Sequence, residues 1–153
     1  MSWALNNHWL VNFAASQSGR IPLRYRLTTH EGPVDPAAAA RFAAEAAVPP
    51  VALRDIAPSG KPSDSFFSLD PNSPVLVTTK PGEDEGWVAL RLQNLSDSKA
   101  TQTVSFTHGA AGARSADPIE HPGKALALEG SKLRVDLAPR EIRTVLVRFS
   151  PNA

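Results

Sequence analysis

The chain has 153 residues, enough for one compact core, and charged residues make up 20% of it with a formal net charge of +1. Because long-range attraction needs a strong charge imbalance, neither a nucleic acid nor an anionic membrane is favoured as a partner. The absence of cysteine excludes disulfides, thiolate metal sites and a cysteine nucleophile.

The first thirteen residues form a polar and aromatic opening segment. They contain no basic run, and polar residues interrupt their apolar positions, so we expect neither a signal peptide nor a membrane-spanning helix. The sequence leaves the compartment open, with the cytoplasm favoured. The candidate functional residues of this segment, which would contact a carbohydrate or join this domain to another, are Asn6, Asn7, His8, Trp9 and Asn12.

The sequence leaves two interpretations of Trp9 open. Its ring could stack on the C–H face of a sugar while the neighbouring amides and His8 bind hydroxyls. Alternatively, Trp9 and Phe13 fill the core, and the Asn side chains bind backbone groups of an irregular strand. We favour the second interpretation for the domain by itself.

Apolar and polar residues alternate along much of the chain, which is the period of a β-strand with one solvent-exposed face. The clearest alternation predicts strands over Leu23 to Leu27, Val88 to Gln93 and Leu133 to Leu137. Further predicted strands are Phe66 to Leu69, Val75 to Thr79, Thr101 to Thr107, Ala125 to Leu128 and Ile142 to Phe149. The last strand is apolar on both faces near its middle, so we expect it at the centre of a sheet.

One segment has helical rather than strand character. Asp35 can cap a helix, Pro36 suits the first helical position, and Ala37 to Ala47 is rich in strong helix formers. Pro49 and Pro50 would end the helix. The following Pro- and Gly-containing stretch, Val51 to Asp64, predicts an exposed connection.

These elements predict an all-β protein, an antiparallel β-sandwich with one short Ala-rich helix, as a single domain over residues 1–153. Turn sequences rich in Pro, Gly, Asn and Asp separate the strands. The residues expected to face the core are Leu90, Leu92, Val135, Leu137, Val145 and Val147.

Chemistry-bearing motifs are weak. The four histidines, His8, His30, His108 and His121, lack the short spacing with which two side chains bind one zinc ion. The acidic run Glu83 to Glu85 lies in a Pro- and Gly-rich turn and predicts a solvated loop rather than an acid/base pair. Gly109 to Gly112 is expected to be a loop and not a phosphate-binding turn, because no helix follows it. Trp87 is expected to pack in the core or at a sheet edge.

Four blocks of sequence, in this order, resemble a known family. They are Asn6-Asn7-His8-Trp9 with Asn12-Phe13 and Arg24-Tyr25; the Ala-rich Arg41-Phe42 helix; Lys80-Pro81 with Arg91-Leu92-Gln93-Asn94; and Pro139-Arg140-Glu141-Ile142-Arg143-Thr144. Together they resemble the C-terminal β-sandwich domain of glycoside hydrolase family 38, the α-mannosidases.

The resemblance implies that the chain is the C-terminal fragment of a larger glycoside hydrolase. Such enzymes cleave α-mannosides with a zinc ion and an Asp nucleophile on an N-terminal domain, which no segment here resembles. The resemblance therefore implies no catalytic residue, metal ligand or cofactor in this chain, with zinc expected only in the catalytic domain. The expected partners are the catalytic domain of the same polypeptide and a mannoside or other glycan.

Three functions follow as hypotheses. The chain is a non-catalytic domain that supports an α-mannosidase-like catalytic domain, a stand-alone carbohydrate-binding module, or a structural domain for assembly. We take the first as the prediction. Because the opening segment concentrates apolar side chains where another domain would continue, we also expect the isolated chain to self-associate.

Overall fold

The computed structural model describes residues 19–52 and 63–149. The chain divides into two compact units, Met1–Pro33 and Val34–Ala153. The prediction of a single domain over residues 1–153 stays a prediction. Among the residues described, no helix is long and apolar enough to cross a membrane.

The described part of the first unit, residues 19–33, contains no helix or strand. The strand predicted over Leu23, Tyr25 and Leu27 is therefore wrong, and these three side chains are exposed, Leu27 by 92%. Alternation shows only that a segment could form an amphipathic strand. A strand also needs a neighbour that pairs its backbone N–H and C=O groups, and this requirement is not visible in the local pattern.

The second unit is a two-layer antiparallel sandwich preceded by one helix. Its elements are α1 (Pro36–Ala47), β1 (Phe67–Leu69), β2 (Val75–Pro81), β3 (Trp87–Asn94), β4 (Ala100–Phe106), β5 (Ala110–Ala116), β6 (Pro122–Leu126), β7 (Lys132–Leu137) and β8 (Ile142–Phe149). One sheet has the order β1-β4-β7 and the other β2-β3-β8-β5-β6. The predicted sandwich is confirmed, as is the central position of β8.

The helix begins and ends where the sequence predicts. The Asp35 carboxylate accepts the backbone N–H of Ala37 at 2.9 Å, and Pro36 occupies the first turn. This cap satisfies one of the N–H groups that the first turn leaves unpaired. The chain leaves the helix at Val48, directly before the two prolines.

Two strands differ from the prediction. The loop expected at Gly109 to Gly112 is wrong, because β5 begins at Ala110 and lies between β8 and β6. Pairing on both sides offsets the low strand preference of Ala and Gly, and a register shift marks the position near Gly112. Strand β6 begins at Pro122, three residues earlier than expected, and as an edge strand it tolerates a proline.

The core lies between the two sheets of the second unit. All six residues predicted to face inward are buried, and four of them are fully inaccessible to solvent on the paired strands β3 and β8: Leu90, Leu92, Val145 and Val147. The smaller sheet contributes alternate residues of β4 and β7, including Val104, Leu133 and Val135. The strand period therefore determines which side chains form the core.

Candidate functional site

The predicted functional residues Asn6, Asn7, His8, Trp9 and Asn12 lie outside the described residues. Their proposed roles as carbohydrate contacts or as a domain joint stay predictions. The described residues instead bring together two sequence blocks noted above, one ending at Asn94 and the other beginning at Pro139.

Asn94 is the centre of a buried polar junction between the β3–β4 loop and the β7–β8 turn. Its amide nitrogen donates to the backbone oxygens of Ser98 and Ala138, both at 2.8 Å. Its amide oxygen accepts the backbone N–H and the hydroxyl of Ser96 at 3.0 and 2.9 Å. The side chain thus makes the full set of bonds that an Asn amide can make while buried.

Arg140 holds the other side of this junction. It has a φ of 57°, in the left-handed region that non-glycine residues seldom adopt. Its backbone N–H donates to Ser96, and its guanidinium donates to the Asp97 carboxylate and to the backbone oxygen of Leu95, both at 2.7 Å. These bonds stabilise the unusual backbone conformation. The guanidinium also lowers the pKa of Asp97.

Glu141 closes the turn that precedes β8. Its carboxylate accepts the backbone N–H of Ala138 at 2.6 Å and two N–H groups of Arg143 at 2.9 and 2.7 Å. The Ala138 N–H and then Arg143 lower the pKa of Glu141, although partial burial acts in the opposite direction. Its backbone oxygen accepts the Asn94 N–H, so the two loops are joined through main chain as well.

We expect Glu141→Gln to destabilise the protein at neutral pH and to matter progressively less in acid. A carboxyl group whose pKa is lowered by folding contributes stability above its unfolded pKa, about 4.3 for Glu, and loses it as the pH falls through the folded value. Urea unfolding of both proteins from neutral to acidic pH measures this difference. A difference that stays constant across the series would contradict a role for the charge.

A second polar cluster lies on the face of the larger sheet that points away from the core. The Arg114 guanidinium stacks over the Trp87 ring, with 3.7 Å between its central carbon and the ring centroid. Trp87 is half-buried, and it belongs to this outer face rather than to the core cluster. A guanidinium over an indole face gives a favourable cation–π contact.

Glu120, in the β5–β6 loop, extends this outer cluster. Its carboxylate lies 2.8 Å from the Lys80 ammonium and 3.8 Å from the Arg91 guanidinium. The bond to Glu120, and then the one to Glu83, raises the pKa of Lys80. One Glu120 carboxylate oxygen is buried without a hydrogen-bond partner, and the backbone φ is 70°. One carboxylate oxygen of Glu120 therefore holds the loop against the sheet through ion pairs, while the other oxygen has no hydrogen-bond partner.

Within the described part of the chain, a groove of about 660 Å³ lies where edge strand β7 faces the end of β5 and the beginning of β8. A neighbouring hollow of about 400 Å³ shares Asp136, Glu141 and Arg143 with it. The groove also includes Arg91 and Arg134. Volumes of this order suit small ligands.

No sequence motif indicates this groove. Arg91 belongs to one of the blocks that resemble family 38, whereas Arg134 and Asp136 lie within a predicted strand and in none of those blocks. The groove residues come from strands far apart in sequence, so no short motif could have indicated them. Only their alternation with core residues shows that they face outward.

Among the described residues, the side chains that could bind a metal or act as acid or base do not form a larger cluster. Across residues 19–52 and 63–149, no group of three or more His, Asp or Glu side chains could hold a metal ion. His108 lies 3.5 Å from Asp64 and His121 lies 2.9 Å from Asp117, as separate pairs. The acidic residues Glu83 to Glu85 are exposed in the β2–β3 turn, as predicted.

Comparison with protein families agrees with the blocks that form the junction. Residues 73–145 match the model of the family described as glycosyl hydrolases family 38 C-terminal beta sandwich domain. The predicted resemblance to family 38 is confirmed over this range. The family 38 match contains β2 to β7 and the beginning of β8, and so includes Asn94, Arg140 and Glu141. The opening segment and the helix lie outside it.

Other comparisons add less. No curated protein matches the chain. Among solved structures, a similar one is titled "Crystal structure of apo exo-carrageenase GH42 from Bacteroides ovatus", with 16% identity and a TM-score of 0.39. The alignment covers 56% of this chain and 11% of that protein. A TM-score this low carries no argument about fold or activity, so the family 38 match is the informative comparison.

Proposed function

We propose that this chain is the non-catalytic C-terminal β-sandwich of an α-mannosidase-like glycoside hydrolase and supports a catalytic domain of the same polypeptide. The match of residues 73–145 to the family 38 C-terminal sandwich carries the proposal. The junction around Asn94 supports it, because two blocks that resemble the family hold each other in place there. A buried polar network whose hydrogen bonds are all made is rigid, so it fixes the positions of these two loops.

The carboxylates of the groove are poorly suited to proton donation. A glycosidase needs a carboxylic acid whose pKa is raised, so that this group still carries a proton to donate to the leaving-group oxygen. The Thr101 hydroxyl, at 2.6 Å, and then Arg134 lower the pKa of Asp136, although partial desolvation acts in the opposite direction. Glu141 is also held ionised, by the Ala138 N–H and Arg143. We therefore place the proton-donating acid in the catalytic domain, where the family resemblance also implies the zinc ion and the nucleophile.

The test compares three proteins in an aryl α-mannoside assay with added zinc. We expect no turnover by this chain alone and turnover by the natural polypeptide that contains it. Deletion of residues 73–145 from that polypeptide should lower its thermal stability and its activity together, because the catalytic domain loses its support. Turnover by the isolated chain that disappears when one carboxylate is replaced would refute the proposal, as would a deletion without effect.

A further inference from the structure

The groove exists because the two sheets of the sandwich differ in size. Among the described strands, the smaller sheet ends at β7, whereas the larger sheet continues past β8 to β5 and β6. The side chains of β7 and of the first residues of β8 therefore line a concave surface instead of being covered by another strand. A ligand there would lie along the edge of the sandwich.

Both hydrogen-bond donors and acceptors line this groove. Arg134 is only weakly paired, with 3.5 Å between its Nε and the Asp136 carboxylate. Arg143 uses two of its N–H groups on one oxygen of Glu141. Since a guanidinium carries five N–H donors and a carboxylate about four acceptor positions, these side chains keep free hydrogen-bonding capacity beside one another.

The charges of the groove select against simple ions. The groove contains three guanidinium groups and two carboxylates. The former belong to Arg91, Arg134 and Arg143, and the latter to Asp136 and Glu141. Each guanidinium already has an acidic partner, at 3.5 Å in Arg134–Asp136, 2.7 Å in Arg143–Glu141 and 3.8 Å in Arg91–Glu120. An ion that approaches one charge therefore also meets the opposite one, which weakens its net attraction. A neutral ligand with adjacent hydroxyls fits best, because each hydroxyl donates to a carboxylate and accepts from a guanidinium.

An apolar strip completes the surface. Ile142 is 59% exposed and lines the groove together with Leu126 and Ala116. A pyranose ring presents C–H groups on one face and hydroxyls at its edge, so it matches an apolar strip bordered by charged side chains. The strip contains no aromatic ring, and we therefore expect weak, millimolar affinity.

Addition of a peptide strand to the free side of β7 is the main competing use of this surface. The solvent-facing positions of β7 carry Lys132, Arg134 and Asp136. Charged side chains along an edge strand disfavour pairing with a further strand. The groove is thus better suited to a small ligand than to an extended peptide.

We propose that this groove is a saccharide-binding subsite in which Arg134, Asp136 and Arg143 bind hydroxyls and Ile142 contacts the ring. None of the groove residues belongs to the opening segment around Trp9. The choice of a mannoside as probe rests on the proposed function, whereas the choice of a saccharide rests on the groove itself.

The experiment titrates the full chain, labelled with ¹⁵N, with methyl α-D-mannopyranoside and with an α-linked mannobiose. Saturable shifts are expected at the backbone amides of groove residues. Arg134→Ala should weaken binding by about tenfold, because it removes a charge-assisted hydrogen bond. Ile142→Ser should weaken binding as well. Arg148→Ala is the matched control, since it removes an exposed arginine that lies outside the groove, on the same strand as Ile142.

The amide spectra also report whether each variant is folded. Absence of saturation with both saccharides, or equal affinity of wild type, Arg134→Ala and Ile142→Ser, would overturn the proposal. So would saturable binding of an extended peptide with protection of β7 amides and no response to saccharide. If the subsite fails while deletion of residues 73–145 still impairs the natural enzyme, the proposed supporting function stands without it.

Discussion

Replacing Leu90 by alanine is expected to lower the free energy of unfolding by about 2–4 kcal/mol. Leu90 is 0% exposed in the core and pairs with Val145 on the central strand β8. Hydrogen bonds between the strands hold both sheets in place, so the surrounding residues cannot fully fill the cavity that the substitution leaves. Urea unfolding measures the loss, and Val135→Ala, on the opposite sheet, should show a similar one.

Arg134→Ala is the control for these core substitutions. Arg134 precedes Val135 on β7, and its side chain is 64% exposed. Removal of an exposed side chain with a weak ion pair should change stability by no more than about 0.5–1 kcal/mol. Equal small losses at Leu90, Val135 and Arg134 would mean that the strand faces are assigned incorrectly.

Asn94→Ala is expected to destabilise the protein by about 2–4 kcal/mol, comparable to the loss of a core leucine. The substitution removes four hydrogen bonds at once and leaves the backbone oxygens of Ser98 and Ala138 without this donor. Unpaired polar groups in a buried place cost more than the bonds themselves contribute. Asn94→Asp should also be destabilising, because it places a carboxylate against the same two oxygens.

The comparison for Asn94 is Asn72→Ala in the turn before β2. Asn72 is exposed, and only its backbone N–H takes part in the turn, by donating to Asp70. We expect a change within about 0.5 kcal/mol for this variant in the same unfolding measurement. If Asn94→Ala were equally mild, the junction would not hold the two loops together.

Sequence pattern succeeded where local chemistry and burial act together. The β7 strand alternates between core and solvent residues at every position that the prediction used. On β3 the predicted core residues Leu90 and Leu92 are buried and Arg91 is exposed, but Ala89, predicted for the solvent face, is only 3% exposed. The helix was predictable for a similar reason, because Asp35 and Pro36 act within a single turn. Neither case needed knowledge of a distant partner.

Prediction failed where pairing decides the outcome. Leu23 to Leu27 has the alternation of a strand but is not one, whereas the Ala- and Gly-containing segment from Ala110 is paired on both sides. Strand preference depends on the neighbour that a segment finds, and neighbours are chosen by the whole fold. Sequence pattern alone therefore predicts a strand in the first segment, where there is none, and a loop in the second, where a strand begins.

The sequence by itself determined the strand period, the core faces and the helix cap, because each depends on residues close together in the chain. It also determined the family 38 resemblance, which consists of short blocks in a fixed order. The tertiary structure decided which blocks meet. It brought Asn94 to Ala138 across 44 positions, and it placed groove residues from five strands around one hollow. Such sites arise from sheet order and from the unequal size of the two sheets, which long-range backbone pairing determines and no short motif records.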